Sequence, residues 1–180
     1  MRCARDFVHF AADDDVYGLV ADEKKGVTDC VALLAARGRK HPSFLRNKPT
    51  PSNYQKITGF KDGLSQYYPG REPLLFECGN TIPEIQSVVL EMISQHPEID
   101  SIIFSEDKLA MVGLRTLADI GRRVPDDVAV IGINNSDYAK LSIPTLTSLD
   151  NMLYDISMKA AAGILSLLSG QSLSQKVLIY

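Results

Sequence analysis

Residues 124–149 decide the fold: they begin Val-Pro-Asp-Asp-Val-Ala-Val-Ile-Gly-Ile-Asn-Asn and end, from residue 143, Ile-Pro-Thr-Leu-Thr-Ser-Leu. Within this stretch Val128–Ile133 is an apolar run of strand length, which is typical of a parallel strand covered on both faces. Pro125 cannot continue a preceding helix, so the strand follows a sharp stop. We expect ligands beyond the carboxyl end of this strand, as in other open α/β sheets. We also expect the strand after Pro144 to leave this sheet and start a crossover between subdomains.

The rest of the chain alternates between strand-like and helix-like runs. Strands are predicted at Val16–Val20, His41–Leu45, Leu74–Cys78, Ser101–Ser105, Leu146–Leu149 and Val177–Tyr180. Helices are predicted at Gly26–Arg37, Ser52–Tyr67, Pro83–Gln95, Asp107–Ile120 and Leu153–Leu168. This alternation indicates right-handed βαβ units, so the predicted fold class is α/β, a parallel sheet flanked by helices on both faces.

Composition and charge exclude several classes of protein. Nineteen basic and 22 acidic side chains give a net charge of −3, and no run of Lys or Arg exceeds two residues, so this portion has no phosphate-gripping surface. The three cysteines form no Cys-x-x-Cys pair, which argues against a zinc site or disulfide framework and fits a reducing cytoplasm. No apolar run reaches the length of a membrane helix or a signal sequence.

Motifs for catalysis and cofactor binding are also missing from the sequence. It has no G-x-G-x-x-G after the first predicted strand, no phosphate-binding P-loop and no G-x-S-x-G. His9, His41 and His96 do not stand at metal-ligand spacing, and Asp13-Asp14-Asp15 fits a solvated turn better than a metal site. We therefore predict a protein that is not an enzyme and that carries no cofactor and no metal.

The opening stretch resembles the lactose-repressor/galactose-repressor (LacI/GalR) family of bacterial regulators. The effector domain of that family carries V-P-x-D-x-x-V-x-G-F-D-D followed by P-x-L-T-T. The matching residues are Val124, Pro125, Asp127, Val130, Gly132, Pro144, Leu146 and Thr147. The residues that depart from the pattern are Ile133, Asn134, Asn135 and Ser148.

The resemblance implies a periplasmic-binding-protein-like fold, in which two α/β subdomains are linked by three crossovers. On that plan residues 16–143 form the C-terminal effector-binding subdomain, and residues 1–15 are a remnant of the N-terminal subdomain and a crossover. Residues 144–170 return to the N-terminal subdomain, and residues 171–180 are the last crossover and a truncated strand. Most of the N-terminal subdomain and the helix-turn-helix head have no counterpart. The apolar stripe of the helix at 153–168 should therefore be exposed or covered by a neighbouring chain.

The function that the resemblance implies is effector sensing in a transcription regulator. The effector would be a sugar or a related small metabolite, and DNA would be bound only through the missing N-terminal head. The resemblance also implies a cytoplasmic homodimer. The alternative is a periplasmic sugar- or solute-binding protein of a transport system, against which the missing signal segment and the family motif argue.

The first candidate ligand contact is Lys56, in Lys56-Ile57-Thr58-Gly59-Phe60. This segment resembles the family's R-x-x-G-F, whose arginine reaches the effector. A lysine supplies charge and three donors but lacks the bidentate fork of arginine. The alternative is a solvated helix lysine.

Two acidic residues are candidates where a predicted strand meets a helix. The family has Asn-Asp there, and this chain has Glu106-Asp107. Glu106 would accept hydrogen bonds from hydroxyls or pair with a cation. Asp107 is a candidate ligand contact too, although a carboxylate at this position is also suited to cap the helix.

The remaining candidates follow two other predicted strands. Asn134 and Asn135 stand where the family has acidic residues that accept from ligand hydroxyls; the alternative is that their amides only satisfy loop backbone. Cys78 and Asn80, after the strand from residue 74, are predicted to face the same cleft and are the weaker candidates.

Overall fold

The computed structural model describes residues 17–173 and 177–179. These residues divide into two compact units, one formed by residues 23–149 and the other by residues 17–22 together with those after 149. The first unit carries all the predicted ligand contacts. We describe each unit by itself.

The described strands and helices alternate along the chain. The strands are β1 (Gly18–Val20), β2 (Pro42–Arg46), β3 (Leu74–Glu77), β4 (Ser101–Phe104), β5 (Ala129–Ile133), β6 (Thr147–Leu149) and β7 (Val177–Ile179). The helices are α1 (Glu23–Ala36), α2 (Pro51–Tyr67), α3 (Ile82–Gln95), α4 (Asp107–Asp119), α5 (Asp137–Leu141) and α6 (Leu153–Leu168).

The first unit is a five-stranded parallel sheet in the order β3-β2-β4-β5-β6. Successive side chains of a strand point to opposite faces: Ile102 and Phe104 pack with α3 and α4, whereas Ile103 packs with α1 and α2. The sheet therefore has an apolar core on each face. The prediction of an α/β fold with a parallel sheet flanked by helices on both faces is confirmed.

Helices α1 and α2 approach each other closely because glycine stands at their contact. A Cβ atom on Gly59 would overlap the backbone carbonyl of Lys24 in α1, and one on Gly63 would overlap the side chain of Val31. The hydroxyl of Thr28 donates to the carbonyl oxygen of Gly59 at 3.0 Å. These contacts fix where α2 lies along α1, and with it the position of Lys56.

The end of the sheet differs from the sequence prediction. Strand β6 does not start a new sheet after Pro144: it pairs with β5 in parallel, with Ile131 opposite Thr147 and Ile133 opposite Leu149. The first unit therefore extends to Leu149, beyond the boundary at residue 143 that the family plan suggested. The short helix α5, which connects β5 to β6, was not predicted.

In the second unit β1 and β7 pair in parallel, and α6 exposes an apolar face. The exposed large apolar residues of α6 are Leu153, Tyr154, Met158, Ile164, Leu165 and Leu168. Of the apolar stripe predicted on this helix, Leu153, Ile164 and Leu168 are exposed, whereas Ile156, Ala160 and Leu167 are partly buried. Among residues 17–173 and 177–179, no helix has the length and apolar character that a membrane span requires.

Candidate functional site

Polar side chains collect at the carboxyl edge of the five-stranded sheet. Asn47 follows β2, Ser105 and Glu106 follow β4, and Asn134 follows β5. Because these strands are adjacent and parallel, their carboxyl ends lie at one edge. In open α/β sheets this edge is where ligands bind.

Lys56 reaches this edge from α2 and is buried, with 4% of its surface exposed. Its ammonium nitrogen lies 3.2 Å from Oε1 of Glu23. It also donates to the carbonyl oxygen of Ser105 at 3.2 Å. The burial and the ion pair rule out the alternative of a solvated helix lysine. An ammonium group has three donors, so the two contacts leave one for a further acceptor.

Glu23 holds Lys56 from the first turn of α1. Its side chain is 15% exposed, and the same Oε1 accepts from the hydroxyl of Ser52 at 2.8 Å. A buried charge is stable only when it is paired and hydrogen-bonded. The pair therefore fixes Lys56 next to the end of β4.

Glu106 is the N-cap residue of α4, but its side chain makes no capping hydrogen bond. Its Oε1 accepts from the side-chain amide of Asn47 at 2.8 Å. Asn53 orients that amide by donating to Oδ1 of Asn47 at 2.9 Å. None of the ion pairs within residues 17–173 involves Glu106, so this half-buried carboxylate keeps its capacity to accept from a ligand.

Asp107 does not have the helix-capping role expected from the sequence, because the N-cap position belongs to Glu106. It is the first residue of α4 and is 1% exposed. Its Oδ2 accepts from the backbone N–H and the hydroxyl of Ser136, both at 2.7 Å. Its Oδ1 accepts from the hydroxyl of Ser148 at 2.6 Å. Gly132 leaves the space for this carboxylate, because a Cβ there would overlap Oδ1.

Asn134 and Asn135 hold the backbone after β5 in a conformation that most residues avoid. Their φ angles are +108° and +48°. Asparagine tolerates positive φ better than most residues with a side chain, and such conformations concentrate at functional sites. The N–H of Asn134 donates to the carbonyl oxygen of Leu149 at 2.8 Å, and that of Asn135 donates to the hydroxyl of Ser148 at 2.9 Å.

Cys78 and Asn80 follow β3, whose carboxyl end lies at the same edge of the sheet. Cys78 is 5% exposed and belongs to the apolar core on the α3 and α4 face. Burial, followed by the nearby charge of Glu84, raises the pKa of its thiol to about 11. Asn80 is exposed, and its carbonyl oxygen accepts from Lys108 at 3.4 Å. The buried thiol of Cys78 is poorly suited to contact a ligand, and a role for either residue stays a prediction.

Sequence reasoning missed Glu23, Asn47, Ser136 and Ser148. Asn47 carried a usable signal, since it directly follows a predicted strand, as Glu106 and Asn134 do. Glu23, Ser136 and Ser148 gave no signal, because only the folded chain brings them to Lys56 and Asp107. No group of three or more His, Cys, Asp or Glu residues suited to a metal ion occurs in the described part of the chain.

The sheet order and the polar carboxyl edge define an α/β binding domain. Residues 31–179 match the family of periplasmic binding protein-like domains, so the chain belongs to that family. The resemblance to LacI/GalR effector-binding domains is confirmed by the relatives of the sequence and by the solved structures that share its fold.

Two relatives illustrate the match. The chain is 30% identical to an HTH-type transcriptional regulator of Lachnoclostridium phytofermentans over 91% of this chain and 50% of that protein. It is 31% identical to the ribose operon repressor of Halalkalibacterium halodurans over 77% of this chain and 42% of that protein. The chain thus spans about half the length of the curated relatives it matches.

Solved structures share the fold. The transcription regulator CcpA of Lactococcus lactis matches with a TM-score of 0.82 at 21% identity, over 94% of this chain and 62% of that one. A transcriptional regulator CelR in complex with cellobiose matches with a TM-score of 0.82 at 20% identity, over 93% of this chain and 52% of that one.

Proposed function

We propose that this chain is the effector-binding region of a LacI-type transcription regulator and that it binds a sugar or a related polyol at the carboxyl edge of its five-stranded sheet. The observation that carries the proposal is the pair of open groups at that edge. Glu106 has one oxygen held by Asn47 and no cation partner among the described residues, and Lys56 has a donor left beside Ser105.

These groups match the chemistry of vicinal hydroxyls. A hydroxyl both donates and accepts, so one hydroxyl donates to Glu106 while a neighbour accepts from Lys56. Asn134 and Asn135, which offer both kinds of group, complete the proposed contacts. Asp107 is assigned a positioning role, because its oxygens already accept three hydrogen bonds.

The rest of the proposal concerns the whole regulator. DNA would be bound by a helix-turn-helix head outside this chain, since the chain is acidic overall and has no basic run. The ligand would act by binding one state of the regulator more tightly than the other. We further propose a cytoplasmic homodimer without catalytic activity, which agrees with relatives that are named as regulators and repressors. The same names disfavour a transport role.

Calorimetric titration and amide NMR shifts of this chain with ribose, cellobiose and lactose test the proposal. Cellobiose and lactose occur in the titles of two structural neighbours, and ribose in the name of a relative. We expect one sugar to shift the amides of Glu106 and Asn134. Glu106→Gln should weaken its binding about tenfold, since a hydrogen bond to a charged group is lost.

The matched control is Glu91→Gln, on α3, whose carboxylate accepts from the side-chain amide of Gln95 at 2.9 Å. Its sugar binding should equal that of the parent chain. Equal weakening by both variants, or sugar shifts confined to other parts of the sheet, would contradict the proposed site.

A further inference from the structure

The hydroxyl of Ser105, directly after β4, lacks a hydrogen-bond partner among the described residues. Ser105 is 0% exposed, and within residues 17–173 and 177–179 its Oγ is the only buried side-chain oxygen or nitrogen without such a partner. Buried polar groups in folded proteins are almost always hydrogen-bonded, so an exception needs an explanation. Another serine of the same sheet shows the ordinary case: the buried hydroxyl of Ser43, in β2, donates to the carbonyl oxygen of Ser101 at 3.1 Å.

The position of Ser105 in the sheet brings this hydroxyl to the proposed sugar site. Its N–H donates to the carbonyl oxygen of Leu45 at 2.9 Å, so the hydrogen bonds between β2 and β4 continue to this residue. Successive side chains alternate between the two faces of a sheet, and Ser105 therefore lies on the face of Ile103, which packs with α1 and α2. Helix α2 also carries Lys56, whose ammonium donates to the carbonyl oxygen of Ser105 at 3.2 Å.

The unpaired hydroxyl does not stabilise the domain by itself. A buried hydroxyl without a partner carries a desolvation cost, which an alanine of nearly the same shape would avoid. A ligand that brings a hydrogen-bonding group to this point would offset the cost on binding. A ligand without such a group would leave the cost in place, so the hydroxyl can discriminate between ligands.

We propose that Ser105 is a ligand-binding residue and that its hydroxyl bonds to the sugar hydroxyl that accepts from Lys56. One sugar hydroxyl can accept from the ammonium group and donate to the serine oxygen at the same time. The serine hydroxyl reaches the sugar by rotation about its Cα–Cβ bond, which leaves the backbone in place. This inference rests on the function proposed for the carboxyl edge, and it makes Ser105 a determinant of which sugar the site accepts.

Calorimetric titration of Ser105→Ala with ribose, cellobiose and lactose tests the inference. For a sugar that binds the parent chain, the affinity should be about fivefold weaker, because one hydrogen bond is lost. The melting temperature of Ser105→Ala, measured without sugar, should equal or exceed that of the parent chain, since alanine removes an unpaired buried group. The matched control is Ser43→Ala, which should lower the melting temperature by about 2 °C or more and leave sugar affinity unchanged.

The outcomes separate this inference from the proposed function. Unchanged sugar affinity in Ser105→Ala overturns the inference. A loss of thermal stability as large as that of Ser43→Ala overturns it too, since the hydroxyl would then have a partner within the domain. In either case, weaker sugar binding by Glu106→Gln leaves the proposed function standing. If none of the three sugars binds the parent chain, the proposed function and the inference both fail.

Discussion

The hydroxyl of Ser148 donates to Oδ1 of Asp107 at 2.6 Å, which links the edge strand β6 to the first turn of α4. The same hydroxyl oxygen accepts from the backbone N–H of Asn135 at 2.9 Å. One buried carboxylate therefore organises the end of β6 and the strained loop after β5. It does so without contributing an open group to the proposed sugar site.

Asp107→Ala should destabilise the first unit by about 3 kcal/mol, because three donors lose a charged acceptor in a buried place. Urea denaturation followed by circular dichroism measures the loss. The control is Asp119→Ala, which removes an exposed ion pair with Arg115 and should cost under about 1 kcal/mol. Equal losses in the two variants would show that Asp107 does not hold this edge.

The ion pair between Lys56 and Glu23 should behave as a coupled unit. Lys56→Met leaves the carboxylate of Glu23 unpaired and should cost about 3 kcal/mol. Replacing both residues, with Lys56→Met and Glu23→Leu together, should cost less than the sum of the single changes. A double-mutant cycle by urea denaturation measures the coupling. The exposed pair Lys25 and Asp29 provides the control cycle, and a coupling no larger than its value contradicts the prediction.

The two described cysteines should react slowly in the folded chain. Burial, then the charge of Asp29, raises the pKa of the Cys30 thiol to about 12, and burial raises that of Cys78 to about 11. Iodoacetamide at pH 8 should modify both at a rate roughly a hundredfold or more below that of the unfolded chain, since the thiolate is the nucleophile. Peptide mapping by mass spectrometry separates the two sites, and modification at the unfolded rate would refute their burial.

Asp127 should make stability depend on acid pH. Hydrogen bonds from the side chain and backbone of Arg123 lower the pKa of its carboxyl below the usual value. A carboxyl whose pKa is lower in the folded chain than in the unfolded chain stabilises the fold at pH values above its unfolded pKa of about 3.9. This stabilisation is lost as the pH falls towards the folded pKa. The stability difference between the parent chain and Asp127→Asn should be constant from pH 5 to 7 and shrink below about pH 4. Thermal melts over this pH range measure the stability difference, and a difference that grows on acidification would contradict this prediction.

The exposed apolar face of α6 should bind a hydrophobic dye. Six large apolar residues of this helix are exposed, and surfaces of this kind bind such dyes or other chains. Fluorescence of anilinonaphthalene sulfonate should rise with the parent chain and fall when Leu165 and Leu168 are changed to Lys. Lys substitutions at Glu72 and Glu91, in the first unit, are the control. A parent chain that is monomeric by light scattering and does not bind the dye would contradict the exposure.

The fold was predictable from the sequence because its signals are local. The apolar runs at 101–105 and 128–133 each gave a strand within one residue of its observed bounds. The role of β6 was not predictable in this way, since pairing with β5 is a long-range choice that Thr147 and Ser148 do not encode by themselves. Helix α5 is only five residues long and gives no helical periodicity to detect.

The site was predictable only as far as topology and family pattern reach. Strand ends pointed to Glu106 and Asn134, and the family pattern pointed to Lys56. The hydrogen-bond partners of Lys56 and Glu106, which are Ser105 and Asn47, lie 49 and 59 positions away in sequence. Nothing local in a sequence fixes such partners, which explains why Asp107 was expected to cap its own helix and instead binds Ser136 and Ser148.

Gly59 sets a limit on how this domain can diverge. Position 59 faces the α1 backbone without room for a methyl group, and Lys56 lies three residues earlier on the same helix. A larger residue at 59 would push α2 outward and carry the ammonium of Lys56 away from Glu23 and the end of β4. Evolution can thus change which solute is recognised by replacing side chains at the carboxyl edge of the sheet. The distance between α1 and α2, in contrast, cannot increase without moving Lys56.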